Sequence, residues 1–249
     1  MSVFCEQDVF LVTGASSGIG EGVAQLLCER GATIVACGRN AERLSALREK
    51  TARPEAVYLE RKDLSENIAA LPDWLKTLKG RYGRFKGLAH CAGISRTEPV
   101  RMIEYESLKS MFDDNFFSAL MLAKGFIDRR INAGPGSAMV MFSSIAAVQP
   151  AKGQAAYGAS KAALATALKA LSKEIAPQGL RVNCIAPALI ETPMTEEFLR
   201  QYGQDFDPAT YPLGLGKVED AASLAVFLIS DEAKWITGQN YLLDGGASR

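Results

Sequence analysis

Val9-Phe10-Leu11-Val12-Thr13-Gly14-Ala15-Ser16-Ser17-Gly18-Ile19-Gly20 is the stretch that decides the fold. Val9 to Thr13 is a short apolar run of β-forming residues that ends on a glycine turn, which reads as a buried strand. From Glu21 to Arg30 the apolar residues Val23, Leu26 and Leu27 recur at helical spacing, and Gly31 closes the segment as helix C-termini often close. Strand, glycine turn and helix together make a seat for a pyrophosphate. Glycines let the backbone bend sharply and approach the anion, and the positive end of the helix faces it. The spacing is Gly-x-x-x-Gly-x-Gly instead of the commoner Gly-x-Gly-x-x-Gly. A plain tight turn would use the same glycines, but the flanking strand and helix favour a dinucleotide.

The alternation continues outward. Thr33–Cys37 is a second apolar strand, Ala56–Leu59 a third, Gly87–Cys91 a fourth, Ala138–Phe142 a fifth, Arg181–Ile185 a sixth and Asn240–Leu243 a short last one. Between them lie helical patterns over Ala41–Thr51, around Leu71, Leu75 and Leu78, over Tyr105–Arg130, from Ala155 to Leu171, and over Val218–Ile229. This predicts one α/β domain over residues 1–249: a Rossmann-like, doubly wound parallel sheet of about seven strands, flanked by helices in three layers. From Pro187 to Lys217 the pattern breaks down, and so long an irregular connection suggests a substrate lid at about 188–217. Its Leu189, Met194, Phe198, Tyr202, Phe206, Tyr211 and Leu215 line a partly apolar pocket or pack the lid down.

Composition narrows the function. Of 249 residues, 48% are apolar and 22% charged, ordinary values for a globular chain. Lys and Arg together number 28, as do Asp and Glu, so no net field favours nucleic acid or an anionic membrane. The five cysteines lack C-x-x-C spacing and read as reduced thiols, and a single histidine excludes an imidazole-rich metal centre; no metal is expected. His90 lies in a strand with no carboxylate or nucleophile near it in sequence and reads as structural. No leader or membrane-spanning pattern is visible, which points to the cytoplasm.

Two further features carry chemistry. Tyr157 and Lys161 stand one turn apart on one face of a helix, and Ser143-Ser144 end the strand before it. A phenol loses its proton near pH ~10, and a cation beside it favours the phenolate, so the pair reads as an acid/base device. At the end of the second strand, NAD-binding units usually carry an acidic residue, whereas an Arg suits a 2′-phosphate. Gly38-Arg39 therefore points to NADP, with NAD possible and a plain exposed Arg opening the next helix as the alternative. Asn115 is a polar amide inside a long helix, where burial needs a reason.

In order and spacing, Thr13-Gly14-x-x-x-Gly18-Ile19-Gly20, Asp63-Leu64, Ala92-Gly93, Asn115, Ser144, Tyr157, Lys161 and Asp244-Gly245-Gly246 resemble the classical short-chain dehydrogenase/reductase family, from Val9 to Gly246. The resemblance implies an active site of Asn115, Ser144, Tyr157 and Lys161. Tyr157 would exchange a proton with a carbonyl or alcohol oxygen held by Ser144. Lys161 would favour the tyrosinate and bind ribose hydroxyls, and Asn115 would hold a water for a relay towards Lys161. The cofactor would lie against Gly14, Ser16, Ser17, Gly18, Ile19, Gly20, Arg39, Asp63, Leu64, Cys91, Ala92, Gly93, Tyr157, Lys161, Pro187, Ile190 and Thr192. Three positions depart from the family pattern: His90-Cys91 where Asn-Asn is usual, Ala188 where Gly follows Pro187, and Ser17 where NADP-preferring members often carry a basic residue. The implied function is NADP-dependent transfer of a hydride between the nicotinamide and a ketone or secondary alcohol. Reduction of 3-oxoacyl groups on a carrier protein is one candidate, with Arg129 and Arg130 as a possible acidic-partner contact; sugar alcohols, steroids and small ketones are others. A catalytically silent NADP-binding sensor or scaffold is the alternative. The family also implies a homotetramer or homodimer through the helix carrying Asn115 and the helix carrying Tyr157.

Overall fold

The structure, a computed structural model, describes residues 3–202 and 207–248. Phe206 of the expected lid lies outside the described residues, as does the side chain of Tyr202.

Seven strands form one sheet in the order β3-β2-β1-β4-β5-β6-β7: β1 Val9–Thr13, β2 Thr33–Gly38, β3 Val57–Arg61, β4 Phe85–His90, β5 Ala138–Phe142, β6 Arg181–Pro187 and β7 Asn240–Leu243. Every pairing is parallel. A parallel sheet is covered on both faces, so its strands read as continuous apolar runs, and β1 and β5 are buried at every residue. Alternate residues serve opposite faces. Phe10 and Val12 pack with Val23 and Leu27 of α1 (Gly18–Glu29), Leu44 and Leu47 of α2 (Ala41–Lys50) and Ala221, Ala225 and Leu228 from the helix over Val218–Ile229. Val9 and Leu11 pack with Leu71, Leu75 and Leu78 of α3 (Leu71–Tyr82) and with Leu122, Phe126, Leu164 and Leu168 from later helices. The strand order reverses direction between β1 and β4, which leaves a crevice beyond the carboxyl ends of the strands.

Two expectations need correction. The helix over Tyr105–Arg130 is not continuous: α4 (Tyr105–Phe112) passes into a π-helical turn, Asp113–Phe117, and resumes as α5 (Ser118–Phe126). The wider turn swings the amide of Asn115 inward, where it is fully buried. The helix stops at Phe126 because the Asn132 amide donates to the carbonyls of Phe126 and Asp128, at 3.0 and 3.1 Å. The lid is not irregular throughout either. After α6 (Ala155–Ile175) and β6 it contains α7 (Pro193–Tyr202), entered through Pro193 with the Thr195 amide donating to the Thr192 hydroxyl. α8 (Val218–Ile229) and β7 then close the domain. Among the described residues no helix is long and apolar enough to cross a membrane.

Candidate active site

One cavity runs along the crevice, with a volume of about 250 Å³. Gly14, Ser16, Ser17, Gly18, Ile19 and Gly20 form its floor, where β1 turns into α1. Gly14 sits at φ +68°, and a Cβ there would fall 2.7 Å from the Ala92 amide nitrogen, so the turn after β1 is pressed directly on the turn after β4. Ser17 precedes α1 without a side-chain cap, which leaves the first helical N–H groups facing the cavity. Cys91, Ala92 and Gly93 continue the wall, and Pro187, Ile190 and Thr192 close it from the lid side.

At one end three elements converge. β5 delivers Ser144, nine-tenths buried, whose Oγ accepts from the Ala146 amide at 3.2 Å. Tyr157, in the first turn of α6, lines the same end of the cavity, near enough to Ser144 for the serine side chain to act on its phenol. One turn further, the buried Lys161 donates from Nζ to the Phe142 carbonyl at 2.9 Å, and the Ser143 hydroxyl donates to the Lys161 carbonyl at 3.0 Å. Strand end and helix are thereby fixed to each other.

The electrostatics differ from the sequence expectation. Burial pushes the Tyr157 phenol above its ordinary value, and the neighbouring Ser144 side chain pulls it only part of the way back. The ammonium expected to lower it points at the Phe142 carbonyl instead. Burial also brings Lys161 down to about 8. At neutral pH the site therefore holds a protonated phenol beside a mostly charged ammonium. That is the state of a proton donor.

Asn115, expected to hold a water, is engaged by the protein itself. Its Oδ1 accepts from the Ile94 amide and its Nδ2 donates to the Ile94 carbonyl, both at 2.9 Å, and Nδ2 also reaches Ser160 Oγ at 3.1 Å. It clamps the loop after β4 to α6. A Cβ on Gly93 would lie 2.8 Å from Asn115 Oδ1 and 3.1 Å from Lys161 Nζ, so a bare backbone at 93 is what lets the two groups close around it. His90 is 1% exposed with Nδ1 hydrogen-bonded to Thr13 Oγ1 at 2.8 Å, and burial holds it near 3, hence neutral. It bridges β4 to β1 and does not line the cavity.

The opposite end gathers Arg39, Asp63 and Leu64. Arg39 is 64% exposed, with Nη1 3.9 Å from Asp63 Oδ2. Burial raises the Asp63 carboxyl, but two hydrogen bonds from Ser65 and the charges of Arg39 and Lys62 outweigh it and leave it below the usual range. Lys62, Ile94, Asp114 and Thr195 also line the cavity and escaped the sequence reading. Only Lys62 had a visible signal, as a basic neighbour of Asp63. Arg129 and Arg130 stand outside the cavity, and Arg130 is engaged by Asp128 at 2.7 Å.

The chain has relatives among known proteins. A family model described as "Enoyl-(Acyl carrier protein) reductase" matches residues 14–248. The 3-oxoacyl-[acyl-carrier-protein] reductase FabG of Chlamydia muridarum is 35% identical over 241 residues, 95% of each chain. That of Thermotoga maritima is 32% identical over 243 residues, 97% of this chain and 98% of the other. Among solved structures, a short-chain dehydrogenase/reductase of the glucose/ribitol dehydrogenase type from Brucella melitensis superposes with a TM-score of 0.90 at 31% identity, covering 99% of both chains. A short chain dehydrogenase from Burkholderia cenocepacia in complex with NADP superposes with a TM-score of 0.88 at 26% identity, over 98% of this chain and 99% of that one.

Proposed function

Since the chain belongs to the short-chain dehydrogenase/reductase family and is an NAD(P)-dependent oxidoreductase acting on ketones or the corresponding alcohols, we propose that it is an NADPH-dependent reductase of 3-oxoacyl thioesters. The observation that carries this reading is the convergence of Ser144, Tyr157 and the buried Lys161 at one end of a cavity whose middle is the glycine turn after β1. The FabG relatives support the thioester as substrate, and the NADP complex of the Burkholderia relative supports the cofactor.

The residues fit a nicotinamide dinucleotide: glycine backbone and free helix N–H groups for the pyrophosphate, and Arg39 for the 2′-phosphate. The cofactor supplies the hydride. Ser144 orients the substrate carbonyl oxygen, and the protonated Tyr157 phenol gives it a proton as negative charge develops there. Lys161 would meet the ribose hydroxyls of a bound cofactor and lend its charge to the tyrosinate left behind, from the Nζ that donates to the Phe142 carbonyl in this structure. Asn115, by fixing the loop at Ile94, keeps the wall beside Lys161 in place. The exposed Tyr105 and Phe117, on either side of Asn115, support assembly into a homodimer or homotetramer through that helical face.

The test is NADPH oxidation followed with a panel of 3-oxoacyl thioesters, sugars, steroids and small diketones. Turnover of thioesters in preference to the rest is expected. Tight NADPH binding without turnover of any of them would favour the silent sensor instead.

Two outcomes follow for the cofactor and for pH. Arg39→Ala is expected to weaken NADPH binding about tenfold, the scale of a lost charge-assisted phosphate contact, while leaving NADH nearly unchanged. Parallel titrations with both nucleotides check this, and equal losses would contradict it. The rate of ketone reduction should be level near neutral pH and fall as pH rises through about 8, where Lys161 gives up its charge. A pH–rate profile of the wild type that climbs across that range would contradict the role given to the ammonium.

A further inference from the structure

We propose that a second pocket, sharing the Ile190 wall with the cofactor cavity, is a site for a small aliphatic amine, and that its occupation is felt in the cofactor cavity through that side chain. The pocket lies where the loop after β6, the turn over 211–216, the first turn of α8 and the end of β7 meet. Its volume is about 310 Å³, within the ~300–1,000 Å³ of small-molecule sites. Main-chain hydrogen bonds fix its walls. The Gly216 amide donates to the Leu189 carbonyl at 3.1 Å and the Glu191 amide to the Gly216 carbonyl at 2.8 Å. The Ala188 amide donates to the Leu243 carbonyl at 2.9 Å and the Leu213 amide to the Gly245 carbonyl at 3.3 Å. Ile190, 4% exposed, lines both cavities. A Cβ on Gly216 would fall 2.5 Å from Ile190 Cδ1, so the side chain rests on the bare backbone there and cannot move further that way.

The walls select the ligand. Leu189, Ile190, Leu215, Leu243 and the ring of Tyr211 offer apolar surface to an alkyl chain. The charged groups on the wall are the carboxylates of Asp220 and Asp244, and no lining residue is a Lys or Arg. Neither carboxylate is in an ion pair among the described residues. Hydrogen bonds from the Ser248 hydroxyl and from the Gly246 and Ser248 amides keep the Asp244 carboxyl below the usual range, hence ionised. Asp220 takes the Lys217 amide on Oδ2 at 2.8 Å and, with Glu219, already meets the positive end of α8, so that helix end does not call for an anion. A carboxylate head on the chain would be repelled by both residues and an ammonium attracted by both.

Methyl NMR of isoleucine-labelled protein titrated with hexylamine, hexan-1-ol and hexanoate, with and without saturating NADPH, decides the matter and needs no turnover. Hexylamine is expected to shift the Ile190 δ-methyl signal, which is identified by its loss in Ile190→Val. It should bind about tenfold tighter than hexanoate, the scale of two partly exposed charge contacts reversed in sign, and about tenfold tighter than butylamine, at about threefold to fourfold per buried methylene. In Asp220→Asn, which keeps an acceptor for the Lys217 amide, the preference over hexanoate should shrink to about threefold. A filled pocket backs the Ile190 wall, so hexylamine and NADPH should each tighten the other's binding by the same factor, about twofold or more. Hexanoate binding as tightly as hexylamine, an unmoved Ile190 signal, a preference untouched in both Asp220→Asn and Asp244→Asn, or an NADPH affinity that hexylamine leaves unchanged would overturn the proposal. So would displacement of hexylamine by NADPH, which would put the amine in the cofactor cavity. Failure of the protein to bind NADPH would overturn the dinucleotide reading, and the coupling with it, while occupation of the pocket would still be read from the Ile190 signal.

Discussion

Tyr157→Phe is expected to slow ketone reduction by a factor on the order of 10³ while leaving NADPH affinity within about threefold of wild type. The substitution removes one oxygen and keeps the ring, so the packing of the first turn of α6 is retained. What disappears is the proton donor beside Ser144. A water can protonate the nascent alkoxide, but it is not held by a serine and not backed by a buried ammonium, and general acid catalysis by a positioned group contributes about 10²–10⁴-fold. Ser144→Ala should cost less, because the phenol remains. Steady-state kinetics together with a binding titration separate the two roles. A Phe variant that keeps most of its rate would transfer the proton to another group and remove the central residue of the site.

The second large effect concerns the glycine turn. Gly20→Ala would place a Cβ 2.2 Å from the Gly14 carbonyl oxygen and 2.6 Å from its carbon, all backbone, with no flexible side chain to give way. Gly14 has nowhere to retreat, because it already lies against the backbone of Cys91 and Ala92. The turn must open, and with it the seat for the pyrophosphate. We expect NADPH affinity to fall about a hundredfold or more, and overpacking of about 1–3 kcal/mol to lower Tm by roughly 2–10 °C. Gly80→Ala is the control: it lies in α3, a Cβ there meets nothing within 4 Å, and Ala suits a helix better than Gly. Calorimetry and fluorescence titration on both variants check the pair. NADPH binding by Gly20→Ala as tight as that of wild type would mean that the cofactor does not use this turn.

Much of the fold was legible because its boundaries are chemical. β1 and β5 are apolar runs that stop at glycine or serine, and they begin and end where the sequence places them. α8 and β7 do so too. The grouping of the residues proposed as catalytic was legible for a similar reason: a helix sets Tyr157 and Lys161 one turn apart, and strand β5 has only one end at which to present Ser144. The π-helical turn was not legible. One inserted residue leaves helical periodicity on both sides, and only the burial of Asn115 discloses it. α7 was hidden by the Pro and Thr at its entrance, which read as loop although they cap the helix. The direction of the Tyr157 shift depends on which oxygen the Lys161 ammonium chooses, and that choice belongs to the packed site. Asp114 went unread, because an acidic residue in a helix carries no mark of the wall it will line.

The central claim is that this cavity passes a hydride to a ketone carbon while Tyr157 protonates the oxygen. Its most direct test is mass spectrometry of the alcohol formed from a 3-oxoacyl thioester and NADPH deuterated at the transferred position. One deuterium on the carbinol carbon, lost together with turnover in Tyr157→Phe, is the expected result; an unlabelled alcohol, or no alcohol from a protein that binds NADPH tightly, would contradict it.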